Sequence, residues 1–393
     1  MPFAEVYRKQ VIPELKEQLG RRPLIIETDL EGPQLIDDPL ARQMKKSYGP
    51  PVTADFPYPG IVVYIETWNW YTAYTMPRRR TAERKRPEGL LPFLAQEGTD
   101  TSFILAPYLA TGVTEQDLIE EHQGYRITPG APMFNRHIKQ ENGLVFGITT
   151  ALDLYEPITR KLGLDGLAGT QFPLEQTRER LYAEGKWDEE ISMVCDYMQD
   201  CKVIVAHMYS EKTEEGKQFW RRKLHQRIEK FHIEELGISF DPTVRRQREK
   251  YKTIIGEAIE QMNVVGDRSK AAIAAYLTRN LATSDGLTVT IGDGPNDRAL
   301  LQKGDLSIAL NGGPYQYAKI VVVTPDVSNL IPIIDIARKK PHVLPAELVR
   351  DAKKELGDKA IICEGGSNVP QEIIIAGKVT KQQLRGEEGM LFV

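Results

Sequence analysis

The 393-residue sequence lacks the features that mark several large classes of protein. Its three cysteines form no C-x-x-C pair and show no metal-ligand spacing, which argues against a disulfide framework and a thiolate metal site. No uninterrupted apolar run reaches about 18 residues, so we expect no membrane span. Residues 2–18 mix charged residues with leucines and lack the apolar centre of a signal peptide. These absences predict a cytoplasmic protein with reduced, buried thiols.

The net charge of the chain is small, and its histidines are scattered. The 51 basic residues against 55 acidic residues give a net charge of −4, which argues against nucleic acid as the main partner. The six histidines show no paired spacing, so we assign none of them to a metal. No G-x-G-x-x-G run opens a helix, which disfavours a dinucleotide site. Nothing in the sequence favours one oligomeric state over another.

Apolar runs typical of buried strands alternate with helical patterns along much of the chain. This alternation predicts an α/β fold with a doubly wound parallel sheet. The strand-like runs lie at 23–26, 144–148, 287–291, 306–310, 320–323 and 360–362, with a possible extra strand at Cys201–Ala206. Two stretches interrupt the alternation, at 38–125 and 171–260. The first contains clustered aromatic residues and a basic run, so we interpret it as an inserted module. The second is too long to be a plain crossover, so it is a second insertion or an elaborated helical face.

A glycine-rich turn with two aspartates, Asp293 and Asp297, follows the strand-like run at 287–291. Two carboxylates in one small volume indicate a hard cation such as Mg²⁺, because oxygen ligands suit it and its charge offsets their repulsion. Another buried strand delivers Asp29 and Glu31 just after its last residue. Ligands bind at the carboxyl ends of the strands in such sheets. The sequence therefore predicts one acidic site.

Two further strand or helix ends carry groups suited to phosphoryl transfer. Thr149 and Thr150 follow a third strand, and Lys270 opens a helix. A carboxylate can attack phosphorus if a metal offsets its charge, and a second carboxyl group can serve as acid and base. A hydroxyl and an ammonium can stabilise the charge of the transferring group.

In chain order, the four segments carry Asp29 with Glu31, Thr149 with Thr150, Lys270, and Asp293 with Asp297. As first to fourth motifs, they resemble the haloacid dehalogenase (HAD) superfamily of phosphatases. The resemblance implies Asp29 as the nucleophile, Glu31 as the general acid/base and Lys270 as a stabiliser of nucleophile and phosphate. Thr149 would hold the phosphoryl group, with Thr150 as the alternative by one register. Mg²⁺ would be bound by Asp29, Asp293 and the Glu31 backbone carbonyl, and Asp297 would support or complete the metal shell.

The resemblance also implies a division of the chain. The core segments would be 1–37, 126–170 and 261–338. Residues 38–125 would form a cap between the first and second motifs, 171–260 a helical insertion, and 339–393 a C-terminal extension. Inside the cap, the basic run Arg78–Arg86 is either a binding surface for an anion or acidic partner, or a solvated helix face.

The first motif departs from the usual pattern, with Glu31 in place of Asp and Pro33 in place of Thr or Val. This D-x-E-G-P signature resembles a largely archaeal branch of HAD proteins. We expect a Mg²⁺-dependent phosphomonoesterase acting on a small phosphorylated metabolite through an aspartyl phosphate. The alternatives are a phosphotransferase or mutase that uses the same aspartyl phosphate, and a non-catalytic binding or scaffold protein of the HAD fold.

Overall fold

The structure is a computed structural model that describes most of the chain. The described residues are 12–18, 23–51, 57–85, 98–153, 156–240, 250–340 and 342–386. Within these ranges, no side chains are described for residues 17–18, 39, 76–85, 122–123 and 156. The predicted basic run Arg78–Arg86 therefore lies outside the described side chains. No helix in the described ranges combines the length and apolar character needed to span a membrane.

A seven-stranded sheet with the order β3-β2-β1-β4-β5-β6-β7 forms the centre of the fold. All neighbouring strands are parallel except β6 and β7, which are antiparallel. The strands are β1 Leu24–Thr28, β2 Gly143–Leu152, β3 Gly166–Thr170, β4 Leu287–Gly292, β5 Leu306–Leu310, β6 Ile320–Val323 and β7 Ile361–Glu364. Strands β1, β2, β4, β5 and β6 are buried at every residue, which is typical of a sheet covered on both faces.

Helices cover both faces of this sheet, so the prediction of a doubly wound α/β fold is confirmed. Alternating strand residues divide between two apolar cores, as the two-residue period of a strand requires. The helices that pack against them include α1 Ile12–Gln18, α6 Ala131–Gln140, α12 Asp267–Leu281, α14 Ile331–Lys339 and α15 Pro345–Leu356. Ile26 and Val289 pack in the core that contains residues of α6, α14 and α15, while Ile25 and Phe146 pack with α1 and α12.

The chain divides into two compact units. The first contains residues 1–37, 122–169 and 265–393, and the second contains residues 38–121 and 170–264. The two insertions belong to one unit, and the predicted C-terminal extension belongs to the sheet-containing unit, because β7 pairs with β6. The remaining helices of the first unit are α7 Glu156–Leu162, α13 Arg298–Leu301 and α16 Gln371–Arg385.

The second unit is helical. Its helices are α2 Pro39–Tyr48, α3 Pro59–Lys85, α4 Leu105–Ala110, α5 Glu115–Gln123, α8 Leu174–Ala183, α9 Trp187–Ser210, α10 Glu214–Glu229 and α11 Ile254–Gln261. Trp70 is buried in an aromatic core, where its ring stacks on His232 at a centroid distance of 5.6 Å. The prediction of an extra strand at Cys201–Ala206 is wrong, because this run lies inside the long helix α9. Cys201 is buried as expected, but Cys195 is exposed.

Candidate active site

The point where β1 meets β4 brings two of the predicted acids together. Thr28 pairs with Ile291, and the amide of Asp29 donates to the carbonyl of Ile291 at 2.9 Å. The chain runs from β1 to β2 on one side, whereas β4 flanks β1 on the other, so the strand order reverses here. A crevice at the carboxyl ends of the strands is expected at such a reversal. Asp29 and Asp293 both follow directly from strands that end there.

Asp29 is buried, and its two carboxyl oxygens differ in their surroundings. The Oδ1 atom lies 2.8 Å from Nζ of Lys270 and also accepts a hydrogen bond of 2.8 Å from the amide of Leu30. Among the described residues, no donor reaches Oδ2. One oxygen is thus fixed by a cation and a backbone amide, and the other is available to react.

Asp297 organises the acidic turn. Its Oδ2 atom accepts hydrogen bonds from the amides of Asp293 and Gly294, both at 3.0 Å. Its Oδ1 atom accepts a hydrogen bond of 2.7 Å from Lys270. Both carboxyl oxygens of Asp297 thus already accept hydrogen bonds. Asp297 is therefore better suited to support the turn than to be the main ligand of a cation. Asp29, Asp293 and Asp297 each offer a carboxyl oxygen, and the three atoms lie within 4.8 Å of one another. Such a set of oxygen donors fits a hard cation.

Gly32 allows the Asp293 carboxyl group to lie against the loop after β1. Its φ angle is +93°, and a Cβ atom at this position would lie 2.2 Å from Oδ2 of Asp293. A side chain here would therefore be strained and would displace the carboxylate. Gly32 thus permits both the positive φ angle of the loop and the close approach of the Asp293 carboxylate.

Glu31 and both threonines lie at the same end of the sheet. The Thr149 hydroxyl donates to Oε2 of Glu31 at 2.6 Å. The Thr150 hydroxyl accepts a hydrogen bond of 2.7 Å from the side-chain amide of Asn296 in the acidic turn. Strand β2 continues through Leu152, four residues beyond the expected end, and this extension carries both threonines. Thr149 therefore contacts the first motif and Thr150 contacts the fourth.

Lys270 is completely buried and links the two acidic segments. Its helix, α12, begins at Asp267 and places the ammonium between Asp29 and Asp297. Burial alone would lower the pKa of Lys270, but these two carboxylates raise it above its ordinary value. The lysine is therefore charged, and it holds the carboxylates in place.

Lys270 does not fully offset the effects of burial and of the neighbouring carboxyl groups on Asp29. Burial, and next the neighbouring Asp297, raise the pKa of Asp29 well above its ordinary value, while Lys270 opposes them. Glu31 and Asp293 add further negative charge. An additional cation at the cluster would reverse this shift by stabilising the ionised form.

The sequence-based reasoning missed Lys381. This residue of α16 lies with its Nζ atom 2.5 Å from Oδ2 of Asp293 and donates to the Asp293 carbonyl at 3.1 Å. The sequence places this residue in the C-terminal extension, 339–393, outside the predicted core segments. Helical spacing in this region was the only available signal, and it does not distinguish one lysine from another.

No protein-family model matches the chain. No curated protein matches it either. Among solved structures, a gene product of Archaeoglobus fulgidus is similar over 93% of this chain and 98% of its own, with a TM-score of 0.60 and 19% identity. This similarity shows the fold.

Two further solved structures are more distantly similar. A substrate-bound phosphoserine phosphatase complex has a TM-score of 0.41 and 12% identity, covering 79% of this chain and 98% of its own. A HAD family hydrolase from Salmonella enterica serovar Typhi has a TM-score of 0.34 and 14% identity, covering 79% of this chain and 73% of its own.

Proposed function

We propose that this protein is a Mg²⁺-dependent phosphomonoesterase of the HAD type, acting on a small phosphorylated metabolite. The observation that carries the proposal is the position of Asp29. Its Oδ1 atom is fixed by Lys270, its Oδ2 atom accepts no hydrogen bond from the described residues, and two further acids lie against it. A buried carboxylate held in this way suits attack on an electrophilic phosphorus better than a solvated surface acid does.

In the proposed reaction, Oδ2 of Asp29 attacks phosphorus in line with the ester oxygen. A P–O bond to the aspartate forms, and the bond to the leaving alcohol breaks. Glu31 donates a proton to the leaving oxygen and then accepts one from the water that hydrolyses the aspartyl phosphate. The Thr149 hydroxyl donates a hydrogen bond of 2.6 Å to Glu31. In the proposed reaction it orients the Glu31 carboxyl group and then donates to a phosphoryl oxygen instead.

Mg²⁺ would be held by Asp29, Asp293 and the Glu31 backbone carbonyl, with Asp297 supporting or completing the shell. When bound, it would supply positive charge to the nucleophile and to the transferring phosphoryl group. Lys270 supplies part of the same charge from the protein, because it contacts both Asp29 and Asp297. Glu31 is one methylene longer than the usual Asp, and its bond to Thr149 is what would hold the longer side chain in one position.

Transfer to an alcohol instead of water would use the same aspartyl phosphate. Product analysis with and without an acceptor sugar separates hydrolysis from transfer, because only transfer yields a new phosphate ester. A binding or scaffold role would retain the fold without turnover.

The test is phosphate release from a generic aryl phosphate, measured with Mg²⁺ and with a chelator, for the wild type and Asp29→Asn. We expect release that requires Mg²⁺ and falls by about 10³-fold or more in the variant, since an amide cannot replace the attacking carboxylate. Equal rates in the two proteins would refute the role of Asp29. A complete absence of release across a panel of phosphorylated metabolites would favour the scaffold.

A further inference from the structure

Lys381 is the second ammonium group at the acidic cluster, and its environment differs from that of Lys270. The Lys270 side chain is fully buried, whereas the Lys381 side chain is 27% exposed. Its partner Asp293 has a side chain only 5% exposed. The ion pair thus joins a buried carboxylate to an ammonium group whose side chain is partly exposed to solvent.

Helix α16 is held in place by contacts that do not depend on this ion pair. Gly377 packs so closely on the loop after β5 that a Cβ atom would lie 2.6 Å from the amide of Gly312. At the other end of the helix, Arg126 Nη2 donates to the carbonyl of Arg385 at 3.2 Å. These contacts lie on either side of Lys381 in sequence. The helix can therefore stay docked while the Lys381 side chain leaves Asp293.

The charges at the cluster determine what changes when the Lys381 side chain leaves Asp293. Four carboxyl groups, those of Asp29, Glu31, Asp293 and Asp297, lie near two ammonium groups. Lys270 is shared by Asp29 and Asp297, so Lys381 supplies the direct ion pair to Asp293. A divalent cation that binds Asp293 must compete with an ammonium already 2.5 Å from its Oδ2 atom.

We infer that Lys381 is a built-in competitor for the divalent cation at Asp293, and that it sets the affinity of the site for the metal. Cation binding displaces the Lys381 side chain toward solvent, and loss of the cation returns it to Asp293. The inference rests on the proposed metal-dependent function. Lys381 acts here as a positioning residue through Asp293.

Calorimetric titration of the metal-free full-length chain with Mg²⁺ tests this inference. Lys381→Met keeps much of the side-chain length and removes the charge, and Lys378→Met makes the same charge change at an exposed position of the same helix. We expect Lys381→Met to bind Mg²⁺ about fivefold to tenfold more tightly than the wild type. Lys378→Met should match the wild type.

Thermal unfolding gives a second readout. In a chelator, Lys381→Met should melt below the wild type, because Asp293 has lost its cation. The rise in Tm on adding Mg²⁺ should be larger for Lys381→Met, since binding no longer requires displacement of the ammonium. Lys381→Gln should behave in the same way, and it replaces Lys381→Met if the methionine variant does not fold.

Three results would overturn the inference in distinguishable ways. Equal or weaker Mg²⁺ binding by both Lys381 variants would overturn the competition and leave the metal site standing. Equal tightening by Lys378→Met would show a general effect of net charge in place of competition at Asp293. No Mg²⁺ binding by the wild type or any variant would overturn both this inference and the proposed metal-dependent function.

Discussion

Two buried carboxyl groups, two residues apart in sequence, have opposite surroundings. Glu27 lies inside β1, where Thr278 donates to its Oε1 atom at 3.2 Å and no described residue donates to Oε2. Asp29 lies just after β1, 2.8 Å from the ammonium of Lys270 and beside two other acids. Burial raises the pKa of Glu27 to about 8, only partly offset by the Thr278 hydroxyl, and it raises the pKa of Asp29 as well.

The difference lies in what can offset the negative charge. The Thr278 hydroxyl only partly offsets the effect of burial on Glu27, so Glu27 stays protonated at neutral pH and acts as a neutral core group. Asp29 has a lysine at contact distance and oxygen ligands for a further cation, so its ionised form can be stabilised. Burial alone thus yields an inert acid, whereas burial with cations yields a candidate nucleophile.

The largest expected effect is the loss of Lys270. Lys270→Met removes the cation that Asp29 and Asp297 share and leaves two buried carboxyl groups without it. We expect a loss of about 3–5 kcal/mol in the free energy of unfolding, measured by urea denaturation. The exposed Lys303→Met is the matched control and should change stability by less than about 0.5 kcal/mol. A loss no larger than that of the control would show that Lys270 does not hold the cluster together.

The next effect concerns Glu27 and has a defined pH dependence. Its pKa is about 8 in the folded protein and 4.5 as its ordinary value, so the folded state binds the extra proton between these limits. Stability conferred by this proton is fully present below pH 4.5 and is lost as pH rises through 8. Glu27→Gln mimics the protonated form, so its advantage over the wild type should grow by about 2 kcal/mol from pH 6 to pH 8.

Urea denaturation of both proteins at several pH values checks this difference. Glu229→Gln, at the end of an exposed helix face, is the control and should show no such growth. A constant difference between Glu27→Gln and the wild type across this range would mean that Glu27 is ionised when folded. The contrast between the two carboxyl groups would then be wrong.

The smallest expected effect on stability is at Gly32. Gly32→Ala places a Cβ atom against Oδ2 of Asp293 at a φ angle of +93°. We expect a loss of about 1–2 kcal/mol in stability together with weaker Mg²⁺ binding, because the carboxylate is displaced. Gly112→Ala, at a φ of +69° with open space around it, shares the backbone strain and isolates the effect of the collision. Equal Mg²⁺ affinity in the two variants would show that Asp293 is not part of the metal site.

Much of the fold and the convergence of the acids could be predicted from local patterns. Buried strands followed by Asp29 and Asp293 meet at one edge because parallel strands end together. The run Cys201–Ala206 misled because a short apolar run rich in β-branched residues fits a strand or a buried helix equally well. Lys381 could not be predicted, since its position depends on how α16 packs on a loop about 65 residues earlier in the chain.

The roles assigned to Asp29, Glu31, Thr149, Lys270, Asp293 and Asp297 stay predictions, although the structure brings all six together. The choice between Thr149 and Thr150 also stays open, because each contacts a different motif. Sequence spacing cannot tell which of two adjacent hydroxyls at a strand end contacts the substrate, although consecutive side chains point to opposite faces of the sheet. Here both threonine hydroxyls have hydrogen-bond partners in the site.

The central claim is that Asp29 carries the phosphoryl group, and covalent trapping tests it most directly. The wild-type chain would be mixed with an aryl phosphate and Mg²⁺, quenched in acid within the first turnover, digested and mapped by mass spectrometry. We predict one phosphoryl group on Asp29 in the wild type and none in Asp29→Asn. A phosphoryl group on another residue, or phosphate release by Asp29→Asn at the wild-type rate, would contradict the account.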